Sequence, residues 1–369
     1  MLLEQVTNSL LPHDFAVQDE KFQHAFGVLN IGIEHRSFPG ASVAIAHQGR
    51  LVARKGIGRF TYDLNSAGVI PAAIYDLASL TKVVATTTAC MLLYEQGKFR
   101  LEQAVAEVLP EFAGYDARRA LVTFHMLLAH SSGLPAYARM FEAATCKNDV
   151  LEQAFQMPLE AEPGSRSLYS DVGFILLGEA LERLSGEPLD KFCKEHIFKP
   201  LRLETMTFTP PVDLKPLIPP TEDDQTFRHE IVHGEVNDEN AWAMGGVAGH
   251  AGCFATAQDV ATFAEFMLKG GMPLLQAHTV ELFTRREENP AGTSRTLGWD
   301  TPSSPSQSGN SFSVRSYGHL GYTGTSLWID PERHLSVTLL TNRTWPDRGA
   351  QTIKQIRPAF HDAVIEALK

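Results

Sequence analysis

The apolar residues Phe15, Val17, Phe22, Phe26, Leu29, Ile31 and Ile33 recur at near-helical spacing between Asp14 and Arg36, and Phe38-Pro39-Gly40 stops the run. An opening helix is expected there. Ala41 to Ala46 and Arg50 to Arg54 are β-rich runs around His47-Gln48-Gly49, a hairpin signal. Between about Leu77 and Leu282 the period lengthens to that of helices, with runs over Val83–Gln96, Val172–Leu184 and Ala257–Leu268 separated by Pro- and Gly-rich loops. Thr325–Ile329, the turn Asp330-Pro331-Glu332-Arg333 and Leu335–Thr341 predict a second hairpin, and Ile353–Leu368 a closing amphipathic helix. Thr301 to Ser313 is Ser-rich and unpatterned, so a surface loop is expected.

Strands at both ends of a helical middle predict an α/β fold: an antiparallel sheet built from both termini and flanked by helices, with a mostly helical inserted region. The α/β layer would take about residues 1–76 and 290–369, and the helical region about 77–289, within one domain spanning 1–369. A cleft between the two layers is where a site is expected.

The chain has 44% apolar residues, enough for a sizeable core, and a net charge of −11. That charge repels phosphate backbones and anionic lipid, so neither a nucleic-acid nor a membrane partner is expected. Ala241–Gln258 is free of formal charge, yet its four glycines make it a poor membrane span. Cys90, Cys146, Cys193 and Cys253 are too dispersed for a disulfide framework or zinc cluster and are read as small buried hydrophobes. Met1–Glu20 lacks a basic start and a long apolar run, which predicts a cytoplasmic protein, or a periplasmic one if a leader was removed.

Of twenty-one serines only Ser79 has a lysine three residues on, Lys82, at the head of the apolar run Val83–Tyr94. Spacing i, i+3 puts hydroxyl and amine on one helical face, and a helix start favours a developing anion. The pair is a nucleophile with a base, provided the lysine is near-neutral or relays a proton. About one SxxK arises by chance in such a composition, so the motif alone says little. Pro163–Asp171 is a loop entering a helix; Tyr169 there could act as phenolate or as a hydrogen-bonded relay, whereas an ordinary aromatic followed by Asp171 as N-cap is the plainer reading. Tyr317–Thr325 is a glycine-rich entry to the last hairpin. The backbone N–H just after Gly321, paired with that of Ser79, could form an oxyanion hole, with His319 as a polar or cationic wall; a glycine bulge beside a surface histidine is about equally compatible. His229 and His233 lack HExxH or Cys/His company and are read as loop histidines; Asn237–Asn240 could rim the cleft, although an acidic solvated turn is the preferred reading.

SxxK, YSD and HxG in this order, across nearly the whole chain, resemble the serine β-lactamase and penicillin-binding-protein superfamily. The likeness is closest to its class C β-lactamase-like branch, which includes family VIII carboxylesterases. Phe38-Pro39-Gly40-Ala41, Leu127–Pro135 (LLAHSSGLP), Gly249-His250-Ala251-Gly252 and Gly298-Trp299 also look like that branch. The resemblance implies a β-lactamase/transpeptidase-like fold and an acyl-enzyme on Ser79, with Lys82 and Tyr169 handling protons. It also implies His319-Leu320-Gly321 on the edge strand, the Ser79 and Tyr322 amides as oxyanion hole, and no metal or organic cofactor.

Two departures bear on substrate. The branch's β-lactamases carry Asn at the third tyrosine-motif position and Lys-Thr-Gly on the strand, where this chain has Asp171 and His319-Leu320-Gly321. An ionised Asp171 is acceptor-only and would hold Lys82 charged, and a histidine offers a carboxylate only a pH-dependent cation. The expected activity is therefore carboxylester hydrolysis on small esters, with weak or no β-lactamase activity. The alternatives are a β-lactamase or D-amino-acid peptidase acting on a small amide, or a catalytically silent penicillin-binding sensor.

Overall fold

The computed structural model describes residues 10–12 and 15–369. In chain order its strands are β1 (Leu11–Pro12), β2 (Gly40–His47), β3 (Arg50–Gly58), β4 (Ile74–Asp76), β5 (Thr207–Phe208), β6 (Glu222–Asp224), β7 (Glu230–Val232), β8 (Cys253–Thr256), β9 (Tyr317–Leu320), β10 (Ser326–Asp330) and β11 (Leu335–Thr341). The main sheet runs β1-β3-β2-β11-β10-β9; all its pairs are antiparallel except the short edge pair β1/β3. Both termini thus build one layer, with Val43 of β2 opposite Leu339 of β11. The β2–β3 hairpin closes through Gln48 and Gly49, both at positive φ (53° and 73°), a two-residue loop whose twist suits the flanking strands.

The main sheet is buried on both faces because its side chains alternate between two cores. Val43, Ile45, Val337 and Leu339 face Phe22, Phe26 and Leu29 near the chain start and Phe360 and Val364 near its end. Ala44, Leu327, Ile329 and Leu340 belong instead to the core containing Val260, Phe263 and Phe266 of the helix Ala257–Leu268. A second sheet, β4-β8-β5, pairs Asp76 with Phe254 and so brings the chain entering Ser79 alongside the chain leaving Gly249–Gly252.

Several elements differ from expectation. The opening helix is broken: a 3₁₀ turn (Phe15–Val17) and a short helix (Gln18–Lys21) precede the main helix Gln23–Glu34. Phe22 leaves helical geometry where its ring turns fully inward against Phe26, and Asp14 lies outside the described residues. The run after Ser79 is π-helical over Lys82–Thr87 before becoming α-helical over Thr88–Glu95. Thr301–Ser313 carries no regular element yet is no free loop, since Asn310 and Ser311 N–H groups donate to Asp362 and Gln307 donates to the Lys354 carbonyl. Cys90, Cys193 and Cys253 are buried, but Cys146 is exposed, because it stands just before the helix Lys147–Gln156 with its N–H on the Asp149 carboxylate. Among the described residues no helix is long and apolar enough to cross a membrane.

Candidate active site

Strand β4 delivers the chain to Ser79. Leu77 N–H donates to the Cys253 carbonyl, and Ala78 is then forced to φ 46°, a conformation costing of order 1–3 kcal/mol for a residue with a Cβ. The buried Asp76 carboxylate holds that bend by accepting the Ala78 N–H at 2.8 Å and the Asn237 N–H at 2.6 Å. Ser79 then lies in a 3₁₀ turn, Ala78–Leu80, at the head of the buried helix, where backbone N–H groups lack intrahelical acceptors.

One turn on, Lys82 has no solvent exposure. Its Nζ donates to Ser79 Oγ at 3.0 Å and to the His250 carbonyl at 2.9 Å, and lies 2.6 Å from Asp171 Oδ1. Burial pulls the lysine pKa down, but the Asp171 carboxylate, by its charge and its hydrogen bond, outweighs burial and raises it above its ordinary value. The resting amine is therefore an ammonium. Of the two states expected from the sequence, a near-neutral lysine or a proton relay, the raised pKa favours the protonated relay.

Tyr169 arrives from a separate loop and lays its ring 5.0 Å from Lys82 Nζ, with its hydroxyl in the electrostatic reach of Ser79 and Lys82. Burial, partly offset by Lys82, raises its pKa, so the resting group is a phenol. The loop is hung on Leu127–Pro135: Ser131 and His130 carbonyls accept from Gly164 and Leu168, and the Pro135 carbonyl accepts from Ser170 Oγ. His130 takes the Ser170 N–H on Nδ1 and lays its ring 4.6 Å from that of Tyr169. Ser170, not Asp171, caps the helix Asp171–Ser185, through Oγ and the Gly173 N–H. Freed from capping, the Asp171 carboxylate turns to Lys82.

His319 lies on the edge strand β9 and Gly321 just beyond it. His319 is 3% exposed, its Nδ1 is 2.7 Å from the Leu320 carbonyl, and burial together with the charges of Lys82 and Arg295 holds its pKa well below the ordinary value. It is a neutral wall, not a cationic one. Gly321 packs so closely that a Cβ there would lie 2.6 Å from the Leu77 carbonyl oxygen, and Thr323 and Thr325 hydroxyls donate to the Asp76 and Leu77 carbonyls. The turn bearing Tyr322 is thereby fastened to the residues that lead into Ser79. The Tyr322 ring itself is 51% exposed at the rim.

The site also contains groups that sequence patterning missed. The Arg295 guanidinium lies 5.2 Å over the Tyr169 ring and only 3.6 Å from its nearest carboxylate, Asp300. It is the cation available where His319 is neutral. Asn237–Asn240, expected to be a solvated turn, is largely buried and tied to the centre: Asp238 Oδ1 meets His250 Nε2 at 2.8 Å, and the His250 carbonyl holds Lys82. Asp238 with the phrase Gly249–Gly252 was the available signal, because glycine at 249 lets the loop press on the Phe174 carbonyl, where a Cβ would approach to 2.1 Å. His229 is exposed and His233 bonds the Ile218 carbonyl, as loop histidines do.

The same architecture recurs in solved structures. EstCE1, described as a hydrolase with promiscuous acyltransferase activity, superposes with a TM-score of 0.77 at 22% identity, covering 95% of this chain and all of that one. A class C β-lactamase from Rhodobacter sphaeroides gives 0.73 at 20% identity, covering 94% of this chain and all of its own. An Escherichia coli (strain K12) protein named "Putative D-alanyl-D-alanine carboxypeptidase" is 34% identical over 343 residues, 83% of this chain and 79% of the relative. The Beta-lactamase family model matches residues 22–359, so the convergence of Ser79, Lys82 and Tyr169 belongs to a chain of known descent: it is a member of the Beta-lactamase family, within the serine hydrolases of the β-lactamase and penicillin-binding-protein fold.

Proposed function

We propose that the chain is a carboxylesterase that hydrolyses small esters through an acyl-enzyme on Ser79, with little or no turnover of β-lactams. The observation that carries this reading is the 2.6 Å contact between Lys82 and Asp171, which keeps the lysine charged beside both Ser79 and Tyr169. Ser79 Oγ forms its bond to the acyl carbon while its proton passes to the Tyr169 oxygen, and the Tyr169 proton passes to the departing alkoxide. The two proton transfers are concerted, so the phenol ends neutral and the alcohol leaves, while Lys82 stays protonated throughout and orders the relay through its hydrogen bond to Ser79 Oγ. Water reverses the relay in deacylation. The Ser79 and Tyr322 amides receive the oxyanion.

Asp171 is committed to Lys82 and offers no donor to the acyl-amide carbonyl of a β-lactam, and the neutral His319 offers no charge to its carboxylate. The fold shared with EstCE1, a hydrolase with promiscuous acyltransferase activity, is compatible with acyl transfer through Ser79. Side-by-side turnover of a p-nitrophenyl short-chain ester and a chromogenic cephalosporin tests the reading; the ester is turned over faster, and a faster cephalosporin contradicts it. A second reading, cleavage of a D-amino-acid peptide with a terminal carboxylate, is favoured by Arg295 and by the name of the Escherichia coli relative.

A further inference from the structure

The turn that carries the Tyr322 amide is built from residues that fix its outer side. Gly321 N–H donates to the Thr325 carbonyl at 2.8 Å, and Gly324 N–H to the Gly321 carbonyl at 3.0 Å. Because N–H and C=O of one trans peptide point opposite ways, holding the Gly321 carbonyl inside the turn sends the Tyr322 N–H outward, where it has no backbone acceptor among the described residues. Such a donor is useful only while the turn keeps its shape.

Arg343, two residues beyond β11, supplies that constraint. Its backbone N–H donates to the Thr323 carbonyl at 2.8 Å, its Nε to the Tyr322 carbonyl at 2.7 Å, and its guanidinium lies 4.3 Å over the Tyr322 ring. Its Nη1 reaches the Ala350 carbonyl at 3.2 Å. Arg343 is buried, yet among the described residues no carboxylate lies within 4 Å of it. Neighbouring Arg348 is paired with Glu222 and Glu239, whereas Arg343, like the buried Arg357 that donates to the Thr325 carbonyl at 3.4 Å, has no carboxylate partner among the described residues. Burying a lone guanidinium is costly unless its donors are used, and here they are spent on carbonyls of the turn and of the segment after it. Gly324 completes the fit: at φ 99°, a Cβ there would fall 2.7 Å from Arg343 Cγ.

We propose that Arg343 is a positioning residue for the oxyanion hole: it clamps the Gly321–Thr325 turn from behind, so that the Tyr322 amide meets the developing oxyanion on a Ser79 adduct. This rests on the acyl-enzyme reading above. The clamp acts in the transition state, where a loosened donor costs kcat and leaves ester binding nearly unchanged.

The test compares wild type, Arg343→Lys and Arg343→Met on a p-nitrophenyl ester, with trifluoromethyl ketone affinity read in parallel. That ketone forms a serine hemiketal whose oxygen occupies the hole. Arg343→Met lowers kcat by about 10- to 100-fold with KM within about twofold, less than the full loss of an oxyanion donor. Ketone affinity falls in step with kcat, and Arg343→Lys is intermediate in both. A folded Arg343→Met with unchanged kcat, or with only KM altered, or with kcat lost and ketone affinity retained, overturns the clamp. A wild-type fluorophosphonate adduct on a serine other than Ser79 would instead sink the underlying acyl-enzyme reading, which keeps the two failures apart.

Discussion

Asp171 Oδ1 sits 2.6 Å from Nζ of Lys82, and this one contact decides the charge of the group beside the nucleophile. A buried ammonium is stable here only because a carboxylate, a carbonyl and a hydroxyl take its donors. Asp171→Asn removes the partner and leaves burial to pull the lysine pKa down. The basic limb of kcat/KM then moves to lower pH by a unit or more, and ester turnover at neutral pH falls about tenfold or more. An unchanged limb, measured between pH 6 and 10, would remove Asp171 from the mechanism.

An acid limb is expected from Asp76. Burial, partly countered by the Asn237 and Ala78 N–H groups, raises its pKa to about 6. Activity should fall below that pH as protonation loosens the bend at Ala78. Because this folded pKa lies above the unfolded value, the group's contribution to stability is present at low pH and lost as pH rises through about 6. The activity loss on acidification is therefore not unfolding caused by Asp76. His130 and His319 are both held well below the ordinary histidine value and contribute no limb there. Asp76→Asn abolishes the limb at reduced kcat, and a His319→Gln variant keeps it; the reverse pattern in pH profiles would reassign it.

Arg295 separates the two substrate readings. Arg295→Ala leaves KM for a neutral ester within about twofold but raises KM for an ester or peptide ending in a carboxylate by about tenfold or more, the worth of a charge-assisted contact. Equal effects on both substrates would mean that Arg295 acts only by packing on Tyr169.

Gly249→Ala tests the floor of the site. The added Cβ would stand 2.1 Å from the Phe174 carbonyl oxygen and 2.9 Å from the Gly178 N, so the loop must back away from the helix Asp171–Ser185. A stability loss of about 1–3 kcal/mol is expected, seen as a lower Tm. Activity falls with it, since the next residue's carbonyl holds Lys82. Wild-type Tm would show that the loop has room to shift.

Local patterning made the scaffold legible and left the electrostatics hidden. The two hairpins and the helices Asp171–Ser185, Ala257–Leu268 and Ile353–Glu366 follow from hydrophobic period, because each buries one recurrent face. Ser79 and Lys82 were visible because both sit on one helical turn. Arg295, Asp238 and Arg343 were not: each reaches the centre from a distant segment, through contacts whose sequence separation carries no period. Whether His319 is a polar or a cationic wall was open in the sequence for the same reason, since its titration depends on burial and on Lys82 and Arg295, not on its neighbours in the chain. The break at Phe22 and the π-helical stretch at Lys82–Thr87 are likewise tertiary effects imposed on sequences that read as plain helix.

The most direct measurement is covalent labelling with a fluorophosphonate, followed by peptide mapping, in wild type, Ser79→Ala and Lys82→Ala. The adduct should lie on Ser79 in wild type, be absent from Ser79→Ala and form much more slowly in Lys82→Ala. Labelling on a different serine, or undiminished labelling of Ser79→Ala, would contradict the assignment of the nucleophile and with it the mechanism built around it.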